Sequence, residues 1–239
     1  MTDSTARSRE RLAFALDFPS LGAAKDALAR VGPEVGVTKV GLELFLREGP
    51  AAVRLGIDSG TDVFLDLKLH DIPATVERAV RSACQLGARY LTVHGCGGPA
   101  MLEGAAKAAV AENTGLTILA VTVLTSMGQE DLAATGVSDS PAEQVLRLAT
   151  LATDNGVGGL VCSVQEVGQL RESLGPNPVL VTPGIRPAGA DVGDQKRTGT
   201  PRGAIESGSS LLVVGRPIRD ADDPVAAARA ICAEIELAL

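Results

Sequence analysis

The chain has 239 residues, 45% of them hydrophobic but only 2% aromatic, and a formal net charge of −7. That is enough apolar material for one large core, while the acidic balance and the scarcity of stacking side chains argue against nucleic acid as a partner. No run of eighteen apolar residues occurs, and the polar opening MTDSTARSRERLAF lacks the layout of a secretion signal, so the expectation is no membrane contact and a cytoplasmic location.

In chain order, residues 1–10 read as a loosely attached N-terminus, followed by strands expected near 12–17, 35–40, 62–68, 89–94, 117–124, 158–163, 178–182 and 211–215. Helical periodicity falls between and after them, around 20–31, 43–57, 73–87, 99–113, 141–155, 164–174, 201–208 and 222–238. Eight βα units at this length predict an α/β fold, a single (β/α)8 TIM barrel over 1–239, rather than an open doubly wound sheet. No G-x-G-x-x-G opens a helix, which weakens a dinucleotide site further. The widely spread Cys84, Cys96, Cys162 and Cys232 contain no C-x-x-C pair and read as reduced core thiols, not as a zinc site or a disulfide framework.

Barrels carry their chemistry at the C-terminal strand ends, and the polar residues gather there. Asp17 ends the first strand, Lys39 the second, Asp66 and Lys68 the third, and His94 the fourth; Thr125 and Ser126 follow the fifth, and Gly215-Arg216 end the eighth. Each has an ordinary alternative: a turn, a snorkelling lysine, a satisfied core histidine, or for Asp71 a helix cap ahead of Pro73. Together, two lysines and three carboxylates at adjacent strand ends are a costly way to stabilise a barrel, and such clusters are more often active sites.

The stretch VFLDLKLHDIPATV, residues 63–76, is the most informative. Its odd positions Val63, Leu65, Leu67 and Leu69 make one apolar face, so Asp66 and Lys68 share the other and point into the mouth, with Asp71 just beyond. A lysine held among carboxylates suits proton donation better than attack as a free amine, and an ammonium beside a departing carboxylate can stabilise and then protonate a carbanion. Across the mouth, VTPGIR (181–186) and VVGR (213–216) place Arg186 and Arg216 where barrels commonly bind phosphate. The Gly-rich loop 184–200, which carries the basic residues Arg186, Lys196 and Arg197, reads as a closing lid, and the loop 125–140 is long enough to suggest function as well.

With these residues assembled, the chain resembles the orotidine 5'-phosphate decarboxylase family in its short, bacterial-type branch. The likeness is carried by ALD (15–17), KVGLELF (39–45), FLDLKLHDIPATV (64–76), LTVH (91–94), AVTVLTSM (120–127), TPGIRP (182–187), GDQKR (193–197) and VVGRPI (213–218). The resemblance implies decarboxylation of orotidine 5'-monophosphate to uridine 5'-monophosphate, with no metal and no organic cofactor, in a homodimer with shared sites. It implies Lys68 as the acid that protonates C6, Asp66 as the carboxylate crowding the departing group, and Asp71 as its counterpart from the other subunit, with Thr75 reaching across too. By the same resemblance Lys39 would complete the charge network beside the ribose, Asp17 would hold a ribose hydroxyl, and Thr125 would lie in the segment that reads the pyrimidine. Arg186, Gln195, Gly215 and Arg216 match the family's phosphate-gripping set, and His94 receives no chemical step. Two other readings compete: a related phosphosugar lyase working through a metal-bound enediolate, which would need metal-ligating acids at the mouth, and a non-catalytic barrel that binds a phosphorylated ligand.

Overall fold

The computed structural model describes residues 3–187 and 197–239. Among them, strands β1 (Leu12–Ala15), β2 (Val37–Val40), β3 (Asp62–Leu69), β4 (Tyr90–His94), β5 (Thr117–Val121), β6 (Gly159–Val161), β7 (Val179–Thr182) and β8 (Leu211–Val214) pair in parallel in chain order, and β8 returns to β1 to close the barrel. The period-2 alternation separates two cores. Outward residues such as Leu12, Phe14, Leu65 and Leu91 pack under the helices, and inward residues such as Ala13, Val37, Phe64, Leu119, Val181 and Leu211 fill the barrel itself. The inner core stops below the C-terminal rim, where the inward positions turn polar with Lys39, Asp66 and Thr92.

Local signals explain where helices start. Ser140 and Ser163 cap the helices Pro141–Asp154 and Val164–Leu174, and Glu143 and Glu166 reach back to the cap residues' N–H groups at 2.9 and 2.8 Å, so both ends of each capping box are satisfied. Pro73 opens the helix Pro73–Gln85, where its missing N–H costs nothing.

Three expectations are corrected. Residues Asp3–Glu10 form a helix that packs on the C-terminal helix Pro224–Glu236, with Ser8 fully buried and its hydroxyl donating to Glu236 at 3.1 Å. The polar composition hid this docking, because one buried serine satisfied by a distant glutamate has no periodic signature. Cys84, Cys162 and Cys232 are buried, but Cys96 is exposed, in the short turn Gly95–Gly97 that leaves β4. Strand β5 ends at Val121, so Val123 and Leu124 belong to the following connection, which carries its own short helix, Gln129–Ala134. Among the described residues no helix is long and apolar enough to cross a membrane.

Candidate active site

The charged cluster is assembled by three adjacent strands. Lys39, from β2, is 9% exposed, and its Nζ lies 3.3 Å from Asp17 Oδ1 and 3.6 Å from Asp66 Oδ2. Lys68 Nζ donates to both oxygens of Asp66 at 2.8 Å. The result is a chain of alternating charge, Asp17, Lys39, Asp66, Lys68, running across the mouth. Burial alone would push the Asp66 carboxyl up, but Lys39 and Lys68 together with hydrogen bonds from Lys68 and Thr92 outweigh it, and the group is held below the ordinary carboxylate range. Gly41 leaves room for this arrangement: a Cβ there would come within 3.0 Å of Lys39 Nζ and 3.1 Å of Asp17 Oδ1.

Strand β3 departs from regular pairing at this point. Leu65 pairs with Leu91 and Leu69 with Val93, so four steps on β3 span two on β4. Within the irregularity Lys68 has φ +50°, a left-handed conformation that costs a residue with a side chain about 1–2 kcal/mol. Its N–H is taken by Thr92 Oγ1 at 2.9 Å. Strain of this kind persists where the surroundings over-determine it and clusters at functional sites.

A cleft of two joined lobes opens above the cluster. The deeper one, about 160 Å³, has apolar walls including Phe64, Val121, Val161 and Val213, with Asp66, Lys68 and Thr125 among the polar residues at its edge. The outer one, about 360 Å³, is lined by Asp17, Gly184, Arg186, Gly215, Arg216 and Arg219 among others. Lys39, Pro183 and Val213 border both. The apolar walls of the first lobe suit a weakly polar group, and the arginines of the second suit an anion. Gly184 turns the chain after β7 with φ +75°, where glycine alone is unstrained.

Of the residues expected at the site, Asp17, Lys39, Asp66, Lys68, Thr125, Arg186, Gly215 and Arg216 all border this cleft. Gln195 lies outside the described residues, as do positions 188–196 of the expected lid. Asp71 and Thr75 stand apart. Asp71 is exposed and its Oδ1 accepts from the Ile72 N–H at 2.7 Å, while Thr75, on the first turn of the next helix, is half-buried. Within one chain, then, Lys68 is held by Asp66 and not between two carboxylates. His94 is half-buried, with its ring centroid 5.5 Å from that of His70. Burial first, then the charges of His70 and Lys68, lower its pKa against the opposing pull of Asp66.

Two residues, Thr92 and Arg219, escaped the sequence reading, and so did the part played by a third, Arg197. Thr92 sits on the inward phase of LTVH, which alternation could have flagged. Arg219 lies one helical turn past Arg216, lines the outer lobe and donates to the Asp17 carbonyl at 3.1 Å. Arg197 is buried, ion-paired with Glu166, and donates through Nη2 to the carbonyls of Val123 at 3.1 Å and Leu124 at 3.0 Å, so it fixes the segment that presents Thr125. No spacing rule links residues 123, 166 and 197.

A closed parallel barrel with charged strand ends under a two-lobed cleft defines a (β/α)8-barrel enzyme. The sequence model of the orotidine 5'-phosphate decarboxylase / HUMPS family matches residues 10–231. The chain is 55% identical over 224 residues to the orotidine 5'-phosphate decarboxylase of Anaeromyxobacter sp. strain K, covering 94% of this chain and 97% of that relative. It is 49% identical over 236 residues to that of Moorella thermoacetica, covering 96% and 94%. The crystal structure of orotidine 5'-phosphate decarboxylase from Lactobacillus acidophilus superposes with a TM-score of 0.83 at 38% identity, covering 95% of this chain and 99% of that one. The chain belongs to the orotidine 5'-phosphate decarboxylase / HUMPS family, and it is a carbon–carbon lyase of the decarboxylating kind.

Proposed function

We propose that this protein converts orotidine 5'-monophosphate to uridine 5'-monophosphate and carbon dioxide, the closing step of pyrimidine nucleotide synthesis, with Lys68 as the proton donor. The observation that carries the reading is the Lys68 ammonium, bonded to both Asp66 oxygens at 2.8 Å, at the edge of an apolar lobe that adjoins a cationic one. With the pyrimidine in the apolar lobe beside Thr125, the substrate carboxylate faces Asp66, whose depressed pKa keeps it charged. Repulsion there opposes the ground state and fades as carbon dioxide departs. The C6–carboxyl bond breaks, its electron pair stays on C6, and the Lys68 ammonium stabilises that pair and transfers a proton to it. Lys68 is left as a neutral amine and regains its proton from solvent.

Lys39 borders both lobes and Asp17 lines the outer one beside it, where the ribose would sit. Arg186, Gly215 and Arg216, with Gln195, would hold the phosphate, and binding energy gathered there is spent on organising the charged cluster. Asp71 and Thr75 enter through a homodimer. Asp71 is exposed, with its Oδ1 turned to the Ile72 N–H, and Ile72 beside it and Leu46 after β2 are 67% and 80% exposed, apolar surface of the kind a second copy covers. In that assembly Asp71 of each chain completes the partner's cluster.

The test is loss of the ultraviolet absorbance of orotidine 5'-monophosphate by the purified protein after exhaustive chelation, with phosphate-free orotidine in parallel. Turnover of the nucleotide alone, undiminished by chelation because Lys68 supplies the cation, is the expected result. Turnover that needs added magnesium or zinc would favour the phosphosugar-lyase reading, and none under any condition would favour the binding barrel.

A further inference from the structure

Thr92 occupies the inward face of β4 directly beneath the charged cluster, is fully buried, and lines neither lobe of the cleft. Its Oγ1 accepts from the Lys68 N–H at 2.9 Å and donates to Asp66 Oδ1 at 2.9 Å. A hydroxyl has one proton and two lone pairs, so a single side chain can serve a donor and an acceptor two residues apart on the same irregular segment. The regular ladder offers Lys68 nothing here, because pairing between β3 and β4 skips from Leu65 to Leu69. Without Thr92 the Lys68 N–H would lose its acceptor while the residue stayed in its left-handed conformation. The bond to Asp66 engages the oxygen that also faces Lys68 Nζ, so it sets the rotation of the carboxylate that lets both oxygens meet the ammonium.

We infer that Thr92 is a positioning residue for the decarboxylation: its hydroxyl locks the backbone of Lys68 and the carboxylate plane of Asp66 into one rigid unit, and so places the proton donor. The inference rests on Lys68 being that donor. It distinguishes the hydroxyl from the bulk of the side chain, since valine fills the same space without the bonds and serine keeps the bonds with less bulk.

The experiment compares Thr92→Val with Thr92→Ser. Misplacement by about 1 Å costs roughly a hundredfold, so Thr92→Val should lower kcat by about 10- to 100-fold, with KM and the affinity for uridine 5'-monophosphate within about threefold of the parent. Thr92→Ser should keep kcat within about threefold. Amide hydrogen exchange at Lys68, followed by NMR without substrate, should accelerate in Thr92→Val and stay protected in Thr92→Ser. If Thr92→Val does not fold, Thr92→Ala takes its place against Thr92→Ser. Parental kcat in the hydroxyl-free variant, equal damage in the serine variant, or unchanged Lys68 protection would each overturn the inference. Because the exchange measurement needs no turnover, it reads Thr92 even if the parent leaves orotidine 5'-monophosphate untouched, an outcome that counts against the assigned reaction instead.

Discussion

Replacing Lys68 by alanine is the sharpest test of the proposed chemistry. Lys68 Nζ sits 2.8 Å from both oxygens of Asp66, and its side chain is 28% exposed, so its charge acts in a partly shielded site. Placed about 3.5 Å from a developing carbanion at an effective dielectric constant near 20, an ammonium contributes about 5 kcal/mol, between three and four powers of ten in rate. Loss of the proton donor removes roughly another two to four powers of ten. Turnover of Lys68→Ala should therefore fall by about six orders of magnitude. The fold should survive, because Asp66 keeps Lys39 at 3.6 Å and the Thr92 hydroxyl. Affinity for uridine 5'-monophosphate, which has no carboxylate to face Asp66, should change by about tenfold or less. The assay is the absorbance change at high enzyme concentration, with circular dichroism melting and product titration as controls. A folded Lys68→Ala protein working within about tenfold of the parent would refute the reasoning.

Two further outcomes follow from the same geometry. Mixing inactive Lys68→Ala with inactive Asp71→Ala under conditions that exchange subunits should restore about a quarter of parental activity per chain, since about half the dimers become hybrids with one intact site each; demonstrated hybrids without activity would place Asp71 in its own chain's site. The depressed pKa of Asp66 favours its charged form in the folded state, so its contribution to stability is complete above about pH 3.9 and is lost as pH falls through the lower folded value. Urea unfolding from pH 6 to about pH 3 should thus show a steeper loss below about pH 4 in the parent than in Asp66→Asn, and equal slopes would contradict the assigned cause.

The barrel was legible because alternation and helical periodicity repeat eight times, and an error of a few residues at one boundary leaves the count unchanged. Asp66 and Lys68 were legible for a related reason: charges on the inward phase of an otherwise apolar strand violate the pattern that surrounds them. What stayed hidden depends on contacts remote in sequence. The left-handed Lys68 has no glycine to announce it, and Thr92, a β-branched residue common in strands, looks like ordinary strand composition until its hydroxyl is seen bonded to residues 24 and 26 positions away. Arg197 was noticed as a basic residue of a loop, whereas its role is to join Glu166 to the carbonyls beside Thr125. Cys96 was assigned to the core by residue type, and the turn after β4 carries it outward.

The irregularity in β3 also constrains how the site could have changed length. Two surplus residues lie between pairing points that stay in register, and because side chains alternate, an even surplus keeps Leu69 on the outer face opposite Val93. Deleting one residue from 66–68 would invert the parity of everything after it, bringing leucines into the mouth or sending charges into the core. Deleting two would restore a smooth ladder at the expense of at least one of the two charged groups. No single-residue step in length leads from a plain barrel strand to this one, so the spacing of Asp66 and Lys68 is protected by counting as well as by chemistry.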